Sequence, residues 1–374
     1  MKSLLTALFV LIPLFLAGQP QHHSAHKISF PDVPGYRTLK VDLHMHTVFS
    51  DGSVWPDIRV EEAVRDGLDA IAVTDHLEYQ PHQDDIPHPD RNRSFDIAVQ
   101  TGTGLDSTLI IIRGSEITRK LPPGHANAIF LNDVNPIVQD SVVDAYREAA
   151  RQGAFTFWNH PAWVGQQKDG MAHLSDLHRE LIEEGLLHGI EVVNMHDYSE
   201  EALQIALDNN LTILGTSDIH GLTDWEFEHD HFGHRPITLV FATEKSAGAI
   251  HEALTAGRTA VWFRNTLIGL ERYVTPLIEA SLSIASATYD YERGRSILAI
   301  EIENNSDVEY ILRSESEFTF HRTADVVTIA PRAKTTLHLK TVDQLERVQL
   351  PFTVLNAVTA PQTHPRITLD VTVN

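Results

Sequence analysis

The sequence predicts an α/β protein, a distorted (β/α) barrel of about seven strands followed by a small all-β domain. Three observations carry that expectation. From about residue 38 to 264 short apolar runs alternate with helical stretches that bear charged faces. After about residue 275 the helices stop and two-residue alternation takes over. Histidines and carboxylates also collect at the ends of the strand-like runs, where barrels of this kind place their chemistry.

In chain order, the first segment reads as an export signal over residues 1–19. Lys2 gives the positive start, Leu4 to Leu16 an almost unbroken apolar run, and Ala17-Gly18 the small residues before a polar stretch. The run is too short to span a bilayer comfortably. No cysteine follows it, which argues against a lipid anchor once the signal is removed. A bacterial periplasmic or secreted location is the expectation. The barrel (residues 38–264) is then expected to use strands at Leu39–His46, Ala70–Asp75, Leu109–Glu116, Ala154–His160, Gly189–Asn194, Thr212–Asp218 and Ile237–Ala242. Helices are expected at Asp57–Asp66, Val138–Gln152, Leu174–Glu184, Ser199–Asn209 and Lys245–Ala256, and such alternation implies a mainly parallel sheet. Residues 275–374 form the β-rich domain, with alternation clearest at Ile367, Leu369, Val371 and Val373.

Composition narrows the chemistry. With 374 residues and 42% hydrophobic content the chain can bury a large core. A formal net charge of −22 argues against a long nucleic acid as partner, because phosphate-backbone binders need a basic footprint. An acidic protein can still hold a small phosphate ester where metal ions reverse the local charge. There is no cysteine, so neither disulfides nor thiol chemistry contribute, and no G-x-S-x-G motif supports acyl-type hydrolysis. The 22 histidines call for a positional reading.

Five strand ends carry the reading. The first closes on Asp42-Leu43-His44-Met45-His46, where alternation sends both imidazoles to one face, and Ser50-Asp51-Gly52 follows in a tight loop. Others close on Thr74-Asp75-His76, on Gly114-Ser115-Glu116 with Gly124-His125 shortly after, on Asn159-His160-Pro161, and on Ser217-Asp218-Ile219-His220. A single histidine at such a place is commonly an ordinary hydrogen-bonded loop residue. A ring of imidazoles and carboxylates without a cation would be costly to bury, so together they point to metal.

These motifs, H-x-H at His44 and His46, T-D-H at Asp75 and His76, the glutamate Glu116, N-H-P at His160 and S-D-x-H at Asp218 and His220, resemble the polymerase and histidinol phosphatase (PHP) domain family over roughly residues 38 to 264. The resemblance implies a PHP-type barrel and up to three divalent ions. One would take His44, His46, Glu116 and Asp218; a second would share Glu116 and add His125 and His160; a third would take Asp51, His76 and His220. Position 51 is His in some members and Asp in others. Nitrogen and oxygen ligands suit Zn²⁺, Mn²⁺ or Fe²⁺. Such ions would outweigh the charge of the ligand carboxylates, and a hydroxide between two of them would attack phosphorus, the pKa of water falling from about 15.7 towards ~7.

Three segments are expected to overhang the ions: the polar loop Glu78–Phe95, Arg119-Lys120, and Trp163 to Met171 with its glycines. Arg93, Arg119 and Lys120 are candidate phosphate contacts, against the alternative of solvated surface charges. His196 is the candidate proton donor to a leaving group, against the alternative of a plain loop histidine. The His229, Asp230, His231 and His234 group reads as a connecting loop rather than a second metal patch. Hydrolysis of small phosphodiesters is the expected activity, since the export signal, the appended β region and the T-D-H-L-E-Y loop look like the branch associated with organophosphate diesters. A phosphomonoesterase of the nucleotide or histidinol phosphate type is the alternative, and a non-catalytic metal-dependent binding protein a more distant one.

Overall fold

The computed structural model describes residues 27–227, 234–292 and 295–373, with the side chains of 291, 292 and 295 left aside. The proposed signal segment, His229, Asp230 and His231 lie outside the described residues. The barrel part runs β1 (Arg37–Asp42), α1 (Pro56–Asp66), β2 (Ala70–Val73), α2 (Arg93–Leu105), β3 (Ile110–Ile117), β4 (Ala126–Ile129), α3 (Val142–Arg151), β5 (Phe155–Trp158), α4 (Asp176–Glu183), β6 (Gly189–Asn194), β7 (Asp197–Tyr198), α5 (Glu200–Asn209), β8 (Thr212–Thr216), α6 (Thr223–Glu226), β9 (Ile237–Ala242), α7 (Ala247–Thr255), β10 (Thr259–Phe263), β11 (Thr266–Gly269) and α8 (Glu271–Ser281). Local chemistry sets several boundaries. Pro56 opens α1 and Gly67, in the left-handed region, closes it. Serines 141, 175, 199 and 246 cap α3, α4, α5 and α7 by accepting a backbone N–H.

The sheet is curled and mixed. β1–β2–β3 and β5–β6–β8 are parallel, as alternation implied. β4, absent from the sequence expectation, is antiparallel to both β3 and β5, while β9 runs antiparallel beside β1 and β10 antiparallel beside β9. The mainly parallel expectation therefore holds only for the two halves. Where β8 approaches β9 and β10, threonines bridge the seam. Thr238 Oγ accepts from Gly215 N (3.0 Å) and donates to Gly215 O, while Thr259 Oγ donates to Ile213 O (2.7 Å). One core cluster draws Val41, Leu43, Ala70, Ala72, Phe157 and Leu214 from strands all round the sheet, joined by Ile250 and Leu254 of α7. That apolar floor forces the polar residues of the same strands toward the other end.

The C-terminal part is a sandwich of antiparallel sheets. One contains β12 (Leu282–Glu292), β13 (Arg295–Asn304), β15 (Thr319–Phe320) and β17 (Lys334–Thr341); the other contains β14 (Tyr310–Ser314), β16 (Val326–Ile329), β18 (Arg347–Val354) and β20 (Arg366–Thr372). β20 alternates buried and exposed residues without interruption, as the pattern at Ile367, Leu369 and Val371 demands. A last short strand, β19 (Ala357–Val358), leaves the sandwich to pair in parallel with β11, and Asn265 and Asn356 clasp the joint through Glu309. A single apolar cluster runs through both parts. No helix among the described residues is long and apolar enough to cross a membrane.

Candidate metal centre

Beyond β1 the chain stays extended and Met45 bridges to Ile219, so Leu43 and Met45 bury behind while His44 and His46 face one point. Their Nε2 atoms lie 3.0 Å apart, at 3.1 and 3.0 Å from Asp218 Oδ1 and 3.7 and 3.5 Å from Glu116 Oε2. Glu116 turns its other oxygen to His125 Nδ1 (3.0 Å) and His160 Nε2 (3.4 Å). Asp51 lies 3.2 Å from His220 Nε2 and 3.4 Å from His76 Nε2. All nine sequence-derived ligand candidates thus meet at one end of the sheet. The donor atoms of eight of them form three groups, His44, His46 and Asp218; His46, Asp51, His76 and His220; and His76, Glu116 and His125, while His160 joins through Glu116. His76 departs from the grouping that resemblance implied, since its Nδ1 also comes within 2.6 Å of Glu116 Oε2.

The backbone is shaped to hold them. Asp75 is not turned toward the cluster; its carboxylate accepts from Thr47 N, Thr47 Oγ and Ser50 Oγ and so fixes the loop that carries Asp51. Gly52 is required there, because a Cβ would sit 2.7 Å from the His46 carbonyl carbon. His160 and Asp218 adopt positive φ, 30° and 46°, a conformation non-glycine residues hold only where surroundings impose it. The β4 hairpin sets Asn127 opposite Glu116, and Asn159 donates to both Asn127 Oδ1 and Glu116 Oε1.

Glu191 escaped the sequence reading. It is buried on β6, with Oε1 2.8 Å from His44 Nδ1 and 2.6 Å from Thr216 Oγ, and Oε2 accepting from His160 N and Asn194 Nδ2. A carboxylate behind an imidazole fixes its tautomer and raises its basicity. The available signal was a glutamate inside the apolar run Gly189–Asn194.

Electrostatics follow from crowding. Burial opposes charge on His44, yet Asp218, Glu191 and Glu116 together raise its pKa well above the usual histidine range. His76 is carried to about 10, again against burial, chiefly by Glu116 and Asp51. His46 falls to about 4 through burial and the neighbouring His76 and His220. The imidazoles hold Glu116, Asp51 and Asp218 well below the ordinary carboxylate range despite burial. Protons here stand where cations would.

Two atoms test whether metal fits. Glu116 Oε2 and Asp51 Oδ1 are buried and make no hydrogen bond, although the His76 and His220 imidazoles come within 2.6 and 3.2 Å of them. Orphaned carboxylate oxygens amid imidazoles match hard or borderline divalent ions, and the nine residues supply only nitrogen and oxygen.

The cluster opens into a cavity of about 470 Å³. Asp51, His76, His125, His160, Asp218 and His220 form one side; Pro161, Trp163, Val164, Met195 and Tyr198 form the other. Arg93, Arg119 and Lys120 are not in this lining. Arg93 begins α2 and is exposed, Lys120 is exposed, and Arg119 pairs with Glu78 (2.8 Å) and bonds Gln139 O. His196 is exposed and sets its ring against Phe227 at 5.1 Å, outside the lining. His234 stacks on Trp262, with ring centroids 3.4 Å apart.

Comparison with known proteins agrees with this geometry. The PHP domain family matches residues 42–175, and a family described as an Ig-like domain matches residues 282–370. The crystal structure of a two-domain protein containing a predicted PHP-like metal-dependent phosphoesterase, from Bacteroides vulgatus ATCC 8482, is 42% identical. It superposes with a TM-score of 0.84 and covers 92% of this chain and 98% of that one. PsfC from Pseudomonas syringae PB-5123 is more distant, at 18% identity and a TM-score of 0.43 over 60% of this chain and 91% of its own. No curated protein matches the sequence.

Proposed function

The chain belongs to the PHP family of metal-dependent phosphoesterases, and from that premise we propose that it hydrolyses small phosphodiesters at a centre of two or three divalent ions. The observation that carries the reading is the convergence of nine ligand-type side chains on buried, unsatisfied carboxylate oxygens. Bound ions would supply the activated water and neutralise charge on the phosphoryl oxygens. The protein's part is positional. Glu191 takes the Nδ1 side of His44 and leaves Nε2 turned to the cluster; Asn194 holds Asp218 Oδ2 at 3.2 Å; Asn159 steadies Glu116. Burial of His44, His46 and Glu116 keeps bulk water from the inner face.

The diester preference is supported by the cavity. Among the described residues no lysine or arginine lines it, so the second negative charge of a monoester would find no side-chain partner. A diester carries one charge fewer and offers a second organic group to the apolar side. Export to the periplasm or medium is part of the same proposal and rests on the N-terminal composition alone. Purified protein loaded with Mn²⁺ or Zn²⁺ should turn over bis(p-nitrophenyl) phosphate faster than p-nitrophenyl phosphate. Faster monoester turnover would replace the diesterase reading with a phosphomonoesterase; turnover of neither, with metal bound, would leave a binding protein.

A further inference from the structure

The apolar side of the cavity is built, and its construction goes beyond what phosphate hydrolysis requires. Trp163 is 48% exposed, yet it stands directly against two ligand candidates, with its ring centroid 5.2 Å from His160 and 5.8 Å from His125. The turn that carries it is closed by Trp163 N donating to His160 O (2.9 Å) and Gln167 N donating to Trp163 O (2.7 Å). Gly165 lies under the indole, and a Cβ at that position would overlap the ring, so the glycine is what lets the indole lie there. Gln166, in the same turn, donates to Arg119 O and ties the loop to the segment after β3. A large aromatic is thus held half-exposed beside the metal centre, where burial in the core would have been the ordinary outcome.

Met195 and Tyr198 line the same side of the cavity. Met195 is held at a φ of 50°, and Val164, itself 65% exposed, extends the wall outward. The charged lining is wholly acidic or imidazole. A second phosphate or carboxylate on the substrate would find no lysine or arginine there, whereas a planar uncharged group would cover exposed apolar surface.

We infer that Trp163, with Val164, Met195 and Tyr198, forms a specificity subsite for an apolar, aromatic substituent of the phosphate ester. The inference rests on the phosphodiester reading and deepens it. An aryl group stacked on the indole would lie beside His125 and His160, with its phosphate directed at the cluster. Trp163 is a specificity residue and takes no part in bond cleavage.

The test is binding, read by isothermal titration calorimetry on metal-loaded full-length protein, with diphenyl phosphate, diethyl phosphate and inorganic phosphate as probes. Diphenyl phosphate is expected to bind roughly tenfold more tightly than diethyl phosphate, a ratio equivalent to about 1.4 kcal/mol. Trp163→Ala should abolish that ratio, Trp163→Phe should keep most of it, and inorganic phosphate should bind all three proteins alike. Gly165→Ala, which displaces the indole without removing it, should reduce the ratio as well. Equal affinity for the two diesters in the unmutated protein, or a ratio that survives Trp163→Ala, would overturn the subsite. If inorganic phosphate binds and the aryl preference holds while no diester is cleaved, the subsite stands and the hydrolytic reading falls.

Discussion

Two buried charge clusters lie one behind the other at the end of β1, and they are solved differently. In the rear one, Arg235 spans Asp42 (3.2 Å) and Asp66 (2.8 Å), while Arg59 pairs with Glu62 (2.9 Å) and donates to the carbonyls of His46, Ile219 and Gly221. Every carboxylate in that group has a resident cation. In front, three ligand-type carboxylates and Glu191 face six imidazoles with no lysine or arginine, and two buried oxygens make no hydrogen bond. The contrast teaches that this chain supplies its own cations where it needs a closed network. Where it leaves the charge open, the cation is to come from solution.

The clusters also touch. Ser217 donates from both N and Oγ to Asp42, and its neighbour Asp218 is a ligand candidate, so the closed cluster holds the strand end from which the open one projects. Arg59 does the same for the backbone of His46 and Ile219. The rear network is a frame for the front site.

Substitutions can separate the two solutions. Asp218→Asn should lower turnover roughly a thousandfold, about 4 kcal/mol of transition-state stabilisation, with bound metal reduced and the unfolding midpoint in urea little changed. Turnover close to that of the parent would remove Asp218 from the centre. Arg235→Ala should act the other way round. It leaves the buried Asp42 without a cation and Asp66 with Arg65 alone, and should cost about 3 kcal/mol of stability by urea denaturation. A nearly unchanged midpoint would mean the rear cluster is not the closed network described. Glu191→Gln removes charge behind His44 while keeping shape, and competition with a chelating dye should show metal affinity roughly tenfold weaker with normal folding. Unchanged affinity would reduce Glu191 to a packing role.

Much of this was legible before the structure. The open cluster announced itself because its residues sit at strand ends two apart, as His44 and His46 or Asp218 and His220 do, and such spacing survives any uncertainty in element boundaries. The closed cluster did not, since Arg59 and Glu62, an i,i+3 pair on α1, lie far in sequence from Arg235 and look like surface charges on a helix and a loop. Glu191 was lost for a related reason: a lone glutamate breaks an apolar run without saying what it faces. β4 offers only Ala-Asn-Ala-Ile, too short for a period, and its antiparallel direction is set by tertiary pairing. α2 carries two glycines and two threonines in thirteen residues, which hides a helix held by packing against α1 and β3. Arg93, Arg119 and Lys120 were singled out by charge alone, and sequence cannot tell a cation aimed at a ligand from one engaged by Glu78.

The claim that the front cluster awaits cations is most directly tested by titrating Zn²⁺ into chelator-treated protein at pH 8 in weak buffer, while following protons with an indicator dye. Imidazole must be bare to bind metal, and His44 and His76 have pKa values raised by buried carboxylates, His76 to about 10. At pH 8 the His76 ring still holds its proton, so metal binding should displace it. The account predicts about two or three ions bound per chain with protons released in step, and release that shrinks as pH rises past 10. Failure to bind, or binding without proton release at pH 8, would contradict it.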